Sequence, residues 1–165
     1  MAWNACNKLD KIWRSSINNK LKVQVFRAVI EPILLYGAET WTLTTRLERK
    51  LDGTYTLLLR KAQNICWKQH PSIRDIYGDL PRVSHRLRQR RAQFAGHCLR
   101  ASEEVVSSLL LWRPRGKTHS RKLTFPRLLS RDTGLAEEDL GAVMSDRQAW
   151  AEVVHGLTPS PPGVD

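Results

Sequence analysis

The residues with the clearest chemical potential in this sequence are basic side chains concentrated in two short segments. Residues 82–91 contain five arginines and no acidic residue, and residues 113–122, RPRGKTHSRK, add five basic side chains and again no acid. A guanidinium group is planar and binds phosphate through two parallel hydrogen bonds. The two segments therefore predict a phosphate-binding surface. Its candidate residues are Arg82, Arg86, Arg88, Arg90, Arg91, Arg113, Arg115, Lys117, Arg121 and Lys122.

The distribution of charge favours nucleic acid as the source of those phosphates. The chain has a net charge of +11, and residues 82–131 hold 13 Lys and Arg against 2 Asp and Glu, while the charges of the two flanks cancel. A segregated positive field of this kind is typical of a protein with a polyanionic partner. The alternative is a solvated basic face beside an acidic C-terminal region. Trp112 could stack on an unpaired base, although burial under its own short helix is the favoured interpretation.

The cysteines and histidines give little support for a metal site. Structural zinc sites usually present two closely spaced pairs of ligands, and Cys66 with His70 could form one pair. His97 and Cys98 are adjacent within a predicted helix, where neighbouring side chains point apart, and His85 has no close companion. We therefore expect no metal and no other cofactor.

No group of residues predicts catalysis. The carboxylates of residues 1–81 are scattered among basic residues at helical surface spacing, and the acids of residues 137–139 lie at a predicted helix start, where they suit the helix dipole. Residues 116–118, Gly-Lys-Thr, resemble the end of a Walker phosphate loop but lack its first glycine and the preceding strand. The sequence predicts a protein that is not an enzyme.

Length and cysteine content limit the class of protein further. A chain of 165 residues suits a single domain with a real core. Its three cysteines are an odd number at wide spacing, and no signal peptide follows Met1, which predicts a reducing, intracellular compartment, either nucleus or cytoplasm. No apolar run approaches the roughly 20 residues needed to cross a bilayer, so we expect no membrane partner.

The elements that must position the basic residues are predicted to be helices throughout. Apolar residues recur at helical spacing over residues 3–17 and again over residues 21–34. Pro32 lies inside the second pattern and predicts a kink or a stop near Glu31. An elbow follows, at which Gly37 is expected to take a positive φ.

Two further helices are predicted after the elbow, and the second of them carries the arginines. A helix is expected to begin at Thr45, with Thr45 and Glu48 as a capping box, and to end near His70. Residues 82–100 form the next helix, whose arginines lack acidic partners within the segment and whose buried edge is expected to be Val83, Leu87, Phe94 and Cys98. No strand pair is evident, so the predicted class is all-α.

We predict four regions along the chain. Residues 1–112 form a bundle of about five helices, and residues 113–122 form a basic linker. Residues 123–156 form a small C-terminal unit of two or three short helices. Residues 157–165 are rich in proline and are expected to be a disordered tail.

Four blocks of the sequence resemble the reverse transcriptases of non-LTR, LINE-type retrotransposons. Residues 33–44, ILLYGAETWTLT, resemble the segment that begins the thumb of these enzymes. The Gly-His-x-Leu-Arg core in residues 86–101, RLRQRRAQFAGHCLRA, resembles an arginine-rich stretch downstream of it. Residues 113–135 and the Asp-Arg-x-x-Trp segment in residues 145–154 resemble the C-terminal region. The order and spacing of the blocks agree across about residues 3–156.

The resemblance implies a thumb-like bundle and a C-terminal remnant that grip RNA or DNA nonspecifically. Polymerisation in this family depends on palm aspartates that include an adjacent pair, and this chain has no Asp-Asp pair. The resemblance therefore implies a non-catalytic fragment of an RNA-directed DNA polymerase. Two alternatives remain. The chain could be a helical interaction module that binds a protein through the apolar face of its first helix, or a transposon relic without a selected function.

Overall fold

A computed structural model describes residues 1–101, 104–112 and 123–157 of the chain. These residues form helices and connecting turns with no strand among them, so the predicted all-α class is confirmed. No helix in this part of the chain is both long and apolar enough to cross a membrane. The described residues fall into two compact units. The first comprises Met1–Ala38 and Arg49–Val83, and the second comprises Glu39–Glu48 and the described residues from Ser84 onward.

The first unit begins with two short helices instead of the single helix predicted over residues 3–17. Helix α1 spans Ala2–Lys8 and α2 spans Asp10–Arg14, with a break at Leu9. The break lets Trp13 turn back, and its indole N–H donates to the carbonyl oxygen of Cys6 over 2.8 Å. The buried ammonium group of Lys22 in turn donates to the carbonyl of Trp13 over 2.7 Å. The prediction of one helix was wrong. The buried hydrogen bonds from Trp13 and Lys22 stabilise the broken backbone, and the spacing of apolar residues does not reveal them.

Helix α3, Asn19–Val25, continues without a stop through the segment that contains Pro32. A π-helical turn, Phe26–Ile30, links α3 to α4, Glu31–Leu34. Proline has no backbone N–H to donate, and a wider π turn is one way for a helix to accommodate it. The helix does not stop near Glu31 as expected; it changes locally from α-helical to π-helical geometry just before that residue. Gly37 has φ of +64°, as predicted, and a 3-10 turn over Ala38–Thr40 follows.

Helix α5 spans Thr45–Ala62, and its central part packs on an aromatic cluster of the first unit. The ring of Tyr55 lies edge-on to Phe26 at 5.2 Å between centroids and 5.9 Å from the ring of Tyr77. The Tyr55 hydroxyl donates to the buried Glu31 carboxylate over 3.0 Å. After a 3-10 turn at Trp67–Gln69, helix α6, Ile73–Tyr77, completes the unit.

The second unit contains five helices of the described chain. They are α7, Val83–Arg100, which enters the unit at Ser84, α8, Glu104–Leu110, α9, Phe125–Thr133, α10, Leu140–Ser145, and α11, Arg147–Gly156. Three short helices after residue 122 match the prediction. Their apolar faces and α7 share one core, formed by Ala92, Ala95, Leu129, Leu140, Met144, Trp150 and Val154.

A close contact between Gly96 and Trp150 fixes α11 against α7. A Cβ atom added to Gly96 would lie 2.4 Å from the Trp150 ring, so only glycine fits there. The indole N–H of Trp150 donates to the carbonyl of Ala92 over 2.9 Å, and the Arg100 guanidinium donates to the carbonyl of Met144 over 2.7 Å. Asp146 caps α11 by accepting hydrogen bonds from two backbone N–H groups. The Gly-His-x-Leu-Arg core in residues 86–101 and the Asp-Arg-x-x-Trp segment in residues 145–154 therefore both contribute to packing within the second unit.

The two units do not coincide with the predicted domains. Residues 84–101 and 104–112, predicted as part of the first domain, lie in the same unit as residues 123–157. The contact of Trp150 with α7 is the physical reason. The predicted linker, residues 113–122, and the predicted tail beyond residue 157 lie outside the described residues.

Candidate nucleic-acid interface

Helix α7 carries four of the ten candidate residues, and Arg82 immediately precedes it. Of the four residues predicted to form its buried edge, Phe94 is exposed by 36%, so that part of the prediction was wrong. Ala95 is buried instead. Arg91 lies four residues after Leu87 and four before Ala95, and helical spacing therefore places it on the buried edge.

Arg91 is a fully buried side chain and not a surface cation. Its exposed fraction is 0%, and its guanidinium group pairs with the carboxylate of Asp132. A second nitrogen donates to the carbonyl oxygen of Trp41 over 3.2 Å. Burial lowers the pKa of Arg91, while the carboxylates of Asp132 and Glu48 oppose that effect. An arginine stays protonated in proteins, so this buried charge depends on its partners.

Arg88 is held by the same acidic groups. Its guanidinium group donates to Glu48 over 2.8 Å, and its Nε lies 3.7 Å from the Asp132 carboxylate. Arg131, on α9, pairs with both Glu48 and Asp132 and donates to the carbonyl of Leu43 over 3.3 Å. Glu48, Arg88, Arg91, Arg131 and Asp132 thus form one arginine–carboxylate cluster.

The arginine–carboxylate cluster contradicts two expectations, one about the partners of the arginines and one about the role of Glu48. We expected the arginines of residues 82–91 to lack acidic partners, but Arg88 and Arg91 have them, because Glu48 comes from α5 and Asp132 from α9. Glu48 was expected to cap the start of α5, yet its carboxylate accepts hydrogen bonds from Arg88 and Arg131 instead. Helix α5 nevertheless begins at Thr45 as predicted.

The remaining candidates of this segment are more accessible. Arg82 is exposed, and Arg86 and Arg90 are half-buried. Arg86 and Arg90 lie four residues apart on α7 and therefore share one side of the helix. Arg86 and Arg90 therefore keep part of their side chains at the surface, whereas Arg91 could reach a phosphate only if the core opened.

The other five candidates, Arg113, Arg115, Lys117, Arg121 and Lys122, lie outside the described residues. Trp112, just before them, is 60% exposed. The favoured interpretation that Trp112 is buried under its own short helix was wrong, and its ring is accessible for stacking.

The described residues contain no group of three or more His, Cys, Asp and Glu side chains arranged to hold a metal ion. Cys66 is exposed, whereas Cys6 and Cys98 are buried. Burial raises the pKa of the Cys6 and Cys98 thiols, which keeps them protonated near neutral pH.

Sequence reasoning missed Glu48 and Asp132 as partners of the arginines, and Arg131 as a third arginine that shares these carboxylates. The signal was periodicity: Asp132 follows Leu128 by four residues and Leu129 by three, which places it on the apolar face of α9. An ionisable residue on each of two buried faces is a pattern typical of a buried ion pair.

One comparison with known proteins found a similar sequence. The chain is 27% identical, over 174 aligned positions and 95% of its own length, to an uncharacterised transposon-derived protein of Caenorhabditis elegans. It spans 62% of the length of that relative. No protein-family model matches the chain. No solved structure matches it either.

Proposed function

We propose that this chain binds nucleic acid without sequence preference, through contacts of Arg82, Arg86 and Arg90 with backbone phosphates. The observation that carries the proposal is the charge that remains after the arginine–carboxylate cluster is set aside. Without Arg88, Arg91 and Arg131, residues 82–131 still hold ten basic residues against two acidic ones. A field of that density favours a polyanion.

The arginines of residues 82–91 then have two different roles. Arg88 and Arg91 stabilise the second unit, and the accessible arginines contact phosphate. Arg113, Arg115, Lys117, Arg121 and Lys122 remain proposed contacts on the strength of their sequence. Trp112 could add stacking on an unpaired base.

We further propose that the chain is a non-catalytic fragment related to non-LTR retrotransposon reverse transcriptases. The support is the order of the four sequence blocks, together with similarity to a transposon-derived protein. The chain lacks an Asp-Asp pair, so it does not carry the metal-binding motif on which polymerisation in that family depends. Binding without synthesis is the capability that these residues support.

A salt titration tests the proposal. Affinity for a short RNA hairpin and a matched DNA duplex is measured for the wild type and for a variant with Arg82, Arg86 and Arg90 changed to Gln. The logarithm of affinity should fall linearly with that of salt concentration, and the variant should lose about 0.9 of slope on duplex DNA for each phosphate contact removed. We expect a reduction of about 2–3 in the slope.

The matched control removes the same charge from the first unit. Lys11, Lys20 and Arg27 are exposed, and changing them to Gln lowers the net charge equally. This control should keep most of the slope. An equal loss in both variants would indicate that only the overall field matters, and no salt dependence in the wild type would contradict the proposal.

A protein-interaction module is the second candidate function, favoured by exposed apolar residues in the first unit. Leu21, Val29, Ile33 and Tyr36 all leave large parts of their side chains exposed. The first-helix face that was expected to bind a partner is mostly internal, since Cys6 and Trp13 are buried and Trp3 is half exposed. Elution from heparin at modest salt, combined with self-association on sizing, would favour this candidate. Failure of both assays would favour a relic without a selected function.

A further inference from the structure

A small cavity in the first unit is lined by two arginines, Arg82 and Arg49, of which Arg49 was not a candidate from the sequence. The cavity has a volume of about 230 Å³. Helix α5 and the residues around α6 contribute its walls, which include Arg49, Asp52, Gly53, Thr56, Tyr77 and Arg82. It lies entirely within the first unit, so its shape depends only on that unit.

One face of α5 lines much of the cavity, and Gly53 is part of that face. Residues 49, 52, 53 and 56 are spaced by three and four, so they share one side of the helix. A Cβ atom built on Gly53 meets no atom within 4 Å. Glycine weakens a helix interior relative to alanine, and nothing in the packing around Gly53 requires it. Its missing side chain leaves empty space at this edge of the cavity.

The hydroxyl groups in the cavity are already engaged with each other. The Thr56 hydroxyl donates to the carbonyl of Asp52 over 2.7 Å and lies 2.8 Å from the Tyr77 hydroxyl. Because Thr56 has used its single hydrogen, Tyr77 is the donor in the second bond. Burial raises the pKa of Tyr77, so it stays protonated at neutral pH. Arg49 and Arg82 are the cationic residues among those that line the cavity.

The charge and size of the cavity suit an anionic group of limited size. Two arginines and one carboxylate, Asp52, give its walls a net positive charge. Pockets that enclose whole small molecules measure about 300–1,000 Å³, and this cavity is smaller. It therefore suits one group of a longer chain better than a complete nucleotide.

We propose that this cavity binds one phosphate group of a nucleic-acid backbone through Arg49 and Arg82, and that Gly53 keeps it accessible. The inference rests on the proposed function, because it names a phosphate subsite for one of the arginines assigned there. It adds Arg49 and Gly53, neither of which was a candidate from the sequence.

Replacing Gly53 by a larger uncharged residue tests whether the cavity binds a phosphate. In the full chain, Gly53→Leu fills the open side of α5 and replaces glycine by a better helix former, so the melting temperature should rise. Binding of a fluorescein-labelled single-stranded RNA should weaken about tenfold, the effect of losing one charge-assisted contact. The salt slope should fall by about 0.7, the value for one phosphate of a single strand.

Thr54→Leu is the matched control, because Thr54 is exposed on the same helix and does not line the cavity. Its RNA affinity and salt slope should equal those of the wild type. Unchanged affinity and slope in Gly53→Leu would overturn the cavity assignment, whereas the triple arginine variant tests the proposed function separately. A wild type without salt-dependent binding would overturn both.

Inorganic phosphate distinguishes a general phosphate site from one that needs a nucleic acid. Amide shifts of Thr56 in the wild type, absent in Gly53→Leu, would support a site for any phosphate. If inorganic phosphate has no effect and the RNA affinity still depends on Gly53, the occupant is a nucleic-acid phosphate. Phosphate shifts at Thr56 that persist in Gly53→Leu would overturn the proposal that the cavity must be open.

Discussion

The two sides of α7 show that arginines of one helix can differ widely in burial. Arg91 is fully buried and pairs with Asp132, while Arg86 and Arg90, from the same ten-residue segment, are only partly buried. Composition counts all three equally as positive charge. Position on the helix decides whether an arginine is enclosed by the core, as Arg91 is, or keeps part of its side chain at the surface.

The largest expected difference between the two sides concerns stability. Asp132→Ala leaves the buried guanidinium of Arg91 without its closest partner, so unfolding in urea should become easier by about 3–5 kcal/mol. Because Arg91 would then be an unpaired buried charge, adding Arg91→Met to this variant should recover part of the loss. A change below about 1 kcal/mol in Asp132→Ala would contradict the assignment of a buried ion pair.

A surface ion pair in the same unit is the control for that experiment. Arg127 and Glu137 approach to 3.6 Å with both side chains partly exposed. Glu137→Ala should therefore change the free energy of unfolding by only about 0–1 kcal/mol. The contrast between the two variants measures how much burial adds to an ion pair in this chain.

The buried side of α7 should also be sensitive to a single methyl group. Gly96→Ala places a Cβ atom against the Trp150 ring, and the resulting overpacking should cost about 1–3 kcal/mol in urea unfolding. Gly141→Ala is the matched control, since its Cβ would lie 3.5 Å from Leu111, an ordinary contact. Equal effects in the two variants would contradict a specific close contact at Gly96.

Periodicity predicted the helices well because each one buries an apolar stripe that the sequence displays. The all-α class, the start of α5 at Thr45 and the positive φ of Gly37 follow from local signals of this kind. The break at Leu9 does not, because it is stabilised by hydrogen bonds from Trp13 and Lys22, whose partners are set by the tertiary fold.

The candidate site was predicted less well for a related reason. A search for acidic partners within residues 82–91 finds none, whereas Glu48 and Asp132 lie 43 and 41 residues away from Arg91 along the chain. Only the fold brings them to α7. The spacing of Arg91 on the buried edge was nevertheless visible in the sequence, and it is a better guide to burial than the local charge count.

The accessible side of α7 should show the opposite response, with a small effect on stability. Arg90→Gln removes a partly buried cation that lies outside the arginine–carboxylate cluster, so the free energy of unfolding should change by no more than about 0.5 kcal/mol. The salt dependence of nucleic-acid binding should nevertheless become shallower. A loss of stability as large as that of Asp132→Ala would remove the distinction between the two sides.

The smallest expected effect concerns Asp75, a surface carboxylate, in contrast to the buried Asp132. Hydrogen bonds from the Ser72 hydroxyl and backbone hold the pKa of Asp75, in the capping box of α6, below its ordinary value of about 3.9. A lowered pKa in the folded state contributes stability above the ordinary value, and that contribution is lost as the pH falls through the lowered one. Carboxyl NMR shifts of Asp75 should therefore titrate below pH of about 3.9, and Ser72→Ala should move the midpoint upward. A midpoint that does not respond to Ser72→Ala would show that the capping box does not set the charge of Asp75.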